Sequence, residues 1–207
     1  MIVTNAAAAR CAVNVWSRML RGLLVASAAL FITAAVFTSS AGARTAHRSC
    51  ANAHVSVTRT SRAALQRAVV CLVNQQRARH GLPGLHENQR LNRSAQGWTN
   101  HMVSDGYFSH GSNFSGRITA VGFNWQMVGE NIAAGFRTPA AVVRGWMGSP
   151  GHCRNILTPS FLDIGVGVSR HGVRGAGGPG TWTQDFGLPM SAHARSGNWG
   201  PANGCPY

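Results

Sequence analysis

The periodicity of this chain changes along its length, and the order of that change constrains its fold more than any other feature. From Ser61 to His80, Leu65, Val69, Leu72 and Val73 recur at helical spacing. Arg62, Arg67, Arg77 and Arg79 supply the polar side, and Gly81 suits a C-terminal stop. Leu82-Pro83-Gly84-Leu85 reads as a turn. Leu91, Ala95, Trp98 and Met102 predict a second helix over 91–104, ended by Gly106. Phe108-Ser109-His110-Gly111 reads as a loop, and 116–121 as a short helix with Ile118 inward. Residues 122–135 are glycine-punctuated and mixed, with Phe123, Trp125, Val128 and Ile132 as core candidates. Thr138-Pro139 reads as the N-cap and first turn of a helix through Val142, Val143 and Trp146. Only then do Ile164–Val168 and Thr181–Phe186 alternate as antiparallel strands, joined by the glycine-rich loop 172–180. Helices first and a strand pair last, with little βαβ alternation and no internal repeat, predict an α+β domain layered α-β-α around a small antiparallel sheet.

The N-terminal segment governs how the cysteines are read. Arg10, Arg18 and Arg21 precede an apolar run from Leu23 to Phe37, and Ala41-Gly42-Ala43 offers the small-x-small pattern of a signal-peptidase site. Residues 1–43 are therefore expected to be a cleaved export signal. Residues 44–60 form a polar lead-in, 61–190 the domain and 191–207 a tail. A retained membrane anchor is the alternative, since the run from Leu20 is nearly long enough to span. The Ala and Ser residues at its end, and the lack of a basic stop-transfer cluster, favour cleavage. A secreted protein without a membrane span is then expected. Cys11 leaves with the signal. Cys50, Cys71, Cys153 and Cys205 remain and allow two disulfides in three connectivities. The absence of a C-x-x-C pair argues against a structural zinc site. Cys153 beside His152 does not read as a nucleophile pair, because sequence neighbours seldom face each other and export favours oxidation.

All 19 basic residues are arginine, against 5 acids, for a net charge of +14. That charge attracts anionic polymers, such as those of the cell envelope, or acidic lipids. The arginines are dispersed and no nucleic-acid motif is present, which argues against nucleic acid as a partner. Scarcity gives each acid weight: Glu130 is one of two glutamates. It lies in Gly129-Glu130-Asn131-Ile132, between Phe108-Ser109-His110 and Ser149-Pro150-Gly151-His152. If the fold brings His110, Glu130 and His152 together, they form a cluster able to hold a divalent metal or a polar substrate. The alternative is that the two imidazoles hydrogen-bond across a cleft while Glu130 orients one of them. Asn131 and Asn155 are expected to satisfy loop backbone groups, and Trp146 and Trp182 to lie in the core. No His-Glu-x-x-His or Gly-x-Ser-x-Gly occurs. Residues 175–180 lack the strand-to-helix setting of a phosphate cradle.

An ordered series of short motifs carries a resemblance. Leu72-Val73-Asn74-Gln75-Gln76-Arg77 with Gly81-Leu82-Pro83 comes first, then Phe108-Ser109-His110, Arg117-Ile118 with Gly122-Phe123, and Gly129-Glu130-Asn131-Ile132. Trp146 with Ser149-Pro150-Gly151-His152 and Asn155-Ile156-Leu157 follows, and the series closes on Gly165-Val166-Gly167 and Trp182-Thr183-Gln184. Together they resemble the CAP superfamily of cysteine-rich secretory, antigen 5 and pathogenesis-related 1 proteins, in its bacterial SCP-like extracellular branch, over roughly residues 71–187. The resemblance implies an α-β-α sandwich with a cleft lined by two histidines and two acids, able to hold zinc or magnesium. His110, Glu130 and His152 match three of those positions. The remaining acid, on the helix before the second histidine, has no counterpart, since residues 140–148 contain no carboxylate. The expected function is a non-enzymatic module binding a small ligand, lipid, wall fragment or divalent metal. The rival is a metal-dependent hydrolase or peptidase, for which three ligands and a zinc-bound water would suffice. The expected disulfides are Cys50–Cys71, tying the lead-in to the first helix, and Cys153–Cys205, tying the tail to the domain beside the cleft.

Overall fold

The computed structural model describes residues 49–193 and Cys205. The expected export signal and most of the expected tail lie outside the described residues. The elements run α1 (Arg62–Arg79), β1 (His86–Glu87), α2 (Gln89–Asp105), α3 (Phe114–Ala120), β2 (Trp125–Ala134), α4 (Pro139–Met147), α5 (Pro150–Ile156), β3 (Asp163–Ser169) and β4 (Thr181–Pro189). Local chemistry sets the helix ends. The side chains of Ser61, Asn88, Asn113 and Thr138 each accept a backbone N–H from the first turn of α1, α2, α3 and α4. Gly106 closes α2 in the left-handed region at φ 69°.

The four strands pair in the order β1-β3-β4-β2. Strands β3 and β4 are antiparallel, as their alternation predicts, and β2 adds antiparallel to the other side of β4. Two expectations need correction. The sheet is mixed, because the two-residue β1 pairs parallel with β3 through His86 and Glu87. The mixed stretch before Gly135 is also the longest strand, 10 residues of β2. Its pattern is obscured because Glu130 and Asn131 are polar yet buried.

Helices cover both faces of the sheet, which makes β3 and β4 buried almost throughout. On one face, Ile164, Val166, Val168, Trp182 and Phe186 pack with Leu65, Val69 and Val73 of α1, Val142, Val143 and Trp146 of α4, and Ile156 of α5. Trp146 and Trp182 are fully enclosed there, as the sequence leads one to expect. On the other face α2 lies directly on β3. A Cβ at Gly165 would overlap the Leu91 backbone, and one at Gly167 the Ala95 carbonyl. The glycines of Ile164–Val168 thus serve helix contact rather than turn formation.

Beyond Ile164, β3 has no strand partner on its outer side among the described residues, and amide side chains take that place. The Asn92 Oδ1 accepts the Val166 N–H at 2.8 Å, and the Gln96 Oε1 accepts the Val168 N–H at 3.0 Å. The Gln66 and Gln96 amides donate to the Val166 and Val168 carbonyls. Buried backbone groups are satisfied and the edge is closed to further pairing.

Arg77 departs from the solvent face assigned to it by spacing. It is fully buried, and its guanidinium donates to the carbonyls of Pro83, Ile156 and Thr158, each at 2.8 Å. It therefore holds the 83–85 turn and the end of α5 against α1. Both expected disulfides are present, Cys50–Cys71 and Cys153–Cys205, with Cα separations of 5.7 and 5.6 Å. In the chain-entropy picture, loops of these lengths contribute about 3–4 kcal/mol each. Among the described residues, no helix is long and apolar enough to cross a membrane.

Candidate functional site

Strand β2 is the free edge opposite β1, and the site is built on it. Because strand side chains alternate between faces, Glu130 goes to the α2 and α3 side while Asn131 goes to the α5 side. The 108–111 loop reaches Glu130 from the first side. Trp98 of α2 holds this loop, its indole N–H donating to the Ser109 carbonyl at 3.0 Å. Gly111, at φ 67°, passes so close to the Trp98 ring that a Cβ would sit 2.9 Å from it. His110 Nδ1 then lies 2.8 Å from Glu130 Oε1.

Arg117 of α3 takes the other oxygen. Its Nη2 donates to Glu130 Oε2 at 2.6 Å and its Nη1 to the His110 carbonyl at 3.0 Å. Its Cζ stands 3.6 Å from the Trp98 ring centroid, a cation–π contact that fixes the guanidinium plane. The Glu130 side chain is 2% exposed, whereas that of His110 is 48% exposed. The carboxylate is thus consumed inside the protein and the imidazole faces outward.

On the second side, Asn131 donates to the His152 carbonyl at 3.1 Å and to Gln184 Oε1 at 3.0 Å. Asn155 donates to the Glu130 carbonyl and to Asn131 Oδ1. The two asparagines therefore tie α5 to β2 through a helix and a strand carbonyl, rather than satisfying loop backbone groups as expected. His152 rides on α5, a short helix with Pro150 in its first turn. Burial first, and the positive charge of a protonated His110 second, hold the His152 imidazole below the ordinary histidine range. His110 comes from the loop on the α2 and α3 side, and His152 from α5 on the other side.

Three participants escape a reading built on His110, Glu130 and His152. Trp98 and Arg117 form the bracket behind His110. Asp185 stands directly across from Glu130 in the β2–β4 register, 1% exposed, with neither carboxyl oxygen hydrogen-bonded among the described residues. Burial first and the neighbouring Glu130 second push the Asp185 carboxyl well above the ordinary carboxylate range. A second acid is therefore present, but it enters from β4 behind Glu130 rather than from α4. The alternation of β4 together with the scarcity of acids is the sequence signal that points to it.

The residues expected to hold zinc or magnesium are His110, Glu130 and His152. Among the described residues, no group of three or more His, Cys, Asp or Glu side chains is placed to hold a metal ion. Glu130 has one oxygen on His110 and the other on a guanidinium, so its charge is already countered. A divalent ion would have to displace Arg117 or stand beside it.

The sequence profile of the CAP family, described as the cysteine-rich secretory protein family, matches residues 70–186, more than half of the chain. The chain belongs to the CAP family. An uncharacterized Bacillus subtilis protein, YkwD, is 36% identical over 156 residues, covering 72% of this chain and 58% of that relative. An extracellular SCP-domain protein of Bacillus anthracis is 32% identical, with a TM-score of 0.53 over 61% of this chain and 41% of that one. A cysteine-rich secretory protein of Staphylococcus aureus, 17% identical with a TM-score of 0.53, shares the fold over 62% of this chain and 39% of that one. The chain thus spans little more than half of YkwD and less than half of either solved chain. The three-layer CAP sandwich is the fold, and the matched span holds the whole His110, Arg117, Glu130 and His152 cluster.

Proposed function

We propose that this CAP-domain protein is an exported, non-enzymatic binding module whose site takes a small polar ligand through the outward imidazole edges of His110 and His152, without a resident metal. The observation that carries this reading is the double engagement of Glu130. A carboxylate held by a guanidinium at 2.6 Å and an imidazole at 2.8 Å has no free lone pair aimed at solvent. To act as a general base or metal ligand it would have to do so from a 2% exposed position, with its charge already countered by the guanidinium. Its partner His110, by contrast, keeps its outer edge for a hydroxyl or carboxylate of a ligand. Phe108, 47% exposed two residues away, supplies an apolar contact of the kind a sugar ring or acyl chain uses. The arginine-rich surface favours anionic envelope components as the source. Export rests on the basic start, apolar run and Ala41-Gly42-Ala43, on two disulfides, and on the extracellular description of the Bacillus anthracis relative.

The test is a pair of titrations read on the imidazole resonances of 15N-labelled protein. A soluble wall disaccharide-peptide should shift His110 and His152, whereas zinc and magnesium should leave the His110–Glu130 pair unchanged. Arg117→Gln, which frees Glu130 Oε2, should acquire zinc-dependent shifts at both histidines. Stoichiometric zinc binding by the unaltered protein at His110 and His152 would overturn the reading in favour of a metal-dependent hydrolase.

A further inference from the structure

A second concavity lies away from this site, where the first turn of α1, the middle of α2 and the end of β3 meet. Its volume is about 280 Å³. The floor is apolar, made by Val57, Leu65 and Val168, all buried. The rim is Thr60, Arg62, Asn100, Ser169, Arg170 and His171.

Hydrogen bonding inside the protein makes this rim a set of donors. The Val168 N–H is accepted by Gln96 Oε1, which fixes the orientation of that amide. Gln96 Nε2 must then donate to Asn100 Oδ1, at 2.8 Å. The acceptor end of Asn100 is thereby taken and its NH2 is left for the cavity. Ser169 Oγ accepts the His171 N–H at 3.1 Å, which leaves its hydroxyl hydrogen to donate. Arg62 and Arg170 can only donate. No acid lines the cavity, and all five are committed elsewhere. Glu87 accepts from Asn92, Asp163 accepts from Asn88, Asp105 pairs with His101, Glu130 pairs with Arg117, and Asp185 is buried beside Glu130. Two guanidiniums and two donor-biased polar groups face one hollow beside a helix N-terminal turn, an arrangement that favours an anion among them.

We propose that this cavity binds the phosphoryl group of a phosphorylated polyol, with Arg62 and Arg170 as paired donors and Asn100 and Ser169 as neutral ones. A tetrahedral, multiply charged oxyanion matches forked guanidinium donors better than a single carboxylate does. A volume of about 280 Å³, at the lower edge of the range for small-molecule sites, admits a phosphate with a short polyol. The site does not depend on the one at His110, and its ligand can be present or absent with that site unchanged.

The experiment titrates the 15N-labelled protein at about 0.15 M salt, where long-range attraction between exposed charges is largely screened. The probes are glycerol 3-phosphate, inorganic phosphate, poly(glycerol phosphate) and phosphatidylglycerol vesicles. Saturable shifts confined to 60–65, Asn100 and 169–171 are expected with glycerol 3-phosphate. The Arg62→Gln/Arg170→Gln double variant should bind about tenfold more weakly or less, while Arg144→Gln should bind as the parent does. Melting curves confirm that the exposed substitutions leave the fold intact. Tighter binding of the polymer, per phosphate, identifies a polymer-borne group as the source. Equal binding of the two identifies a soluble phosphorylated solute, and either result upholds the cavity. The proposal falls if Arg144→Gln weakens binding as much as the double variant, if shifts spread over the whole arginine surface, or if only vesicles bind.

Discussion

Asp185→Asn is the sharpest probe of how the site is held together. Asp185 is buried opposite Glu130, and burial first and Glu130 second push its carboxyl well above the ordinary range. The folded protein therefore keeps a proton on Asp185 at pH values where the unfolded chain releases it. With one proton more in the folded state, unfolding free energy falls as pH rises, by about 1.4 kcal/mol per pH unit. The fall begins near the unfolded value, about 3.9, and continues up to the folded one. Asparagine resembles the protonated acid in shape and carries no proton to lose. The difference in stability between variant and parent should therefore grow in the variant's favour by about 1.4 kcal/mol per pH unit above the unfolded value, until the folded carboxyl itself ionises. Subtracting the two curves removes the contribution of every other titrating group that the substitution does not touch. Urea unfolding at half-unit pH intervals measures it, and 13C titration of the labelled Asp185 carboxyl checks the cause. A flat difference curve above the unfolded value, or a carboxyl that titrates in the ordinary range, would refute the reasoning.

Three further outcomes follow from the packing. Gly167→Ala should destabilise the fold by about 1–3 kcal/mol in urea unfolding, because its Cβ meets the Ala95 carbonyl of α2 and a backbone must move. Arg77→Met leaves the Pro83, Ile156 and Thr158 carbonyls without their buried donor, and should cost about 3 kcal/mol or more while loosening the end of α5. Faster amide exchange at 154–158 than elsewhere would report that loosening. His110→Asn removes the second of the two influences on His152, so the His152 pKa should rise but stay below the ordinary histidine value, since burial remains. Imidazole 15N titration reads this directly.

The parts of the fold legible in the sequence are those whose cause is local. The α1, α2 and α4 helices follow from apolar spacing and from Ser61, Gly106 and Thr138 at their ends, because a cap or a left-handed glycine acts on its own turn. The β3–β4 pair follows from alternation across a glycine-rich loop. The order of short motifs was enough to identify the family and to single out His110, Glu130 and His152. Local pattern fails where burial and polarity conflict. Strand β2 carries Glu130 and Asn131 inward, so its period is hidden, and Arg77 sits in an apolar core where the nearby Pro83 carbonyl and the distant Ile156 and Thr158 carbonyls accept from it.

Tertiary structure alone decides what the site is made of. Arg117 and Glu130 lie in different elements, and nothing in their sequence separation says that a guanidinium will occupy the second carboxylate oxygen. Asp185 becomes a partner of Glu130 only through the β2–β4 register, in which a shift of one residue would send it to the other face. His110 and His152 come from opposite layers of the sandwich, and what joins them is the free edge of β2. The residue types that carry the chemistry are written in the chain. Their charge state, and whether a carboxylate remains free to act, depend on the neighbours that folding supplies and on the water it removes.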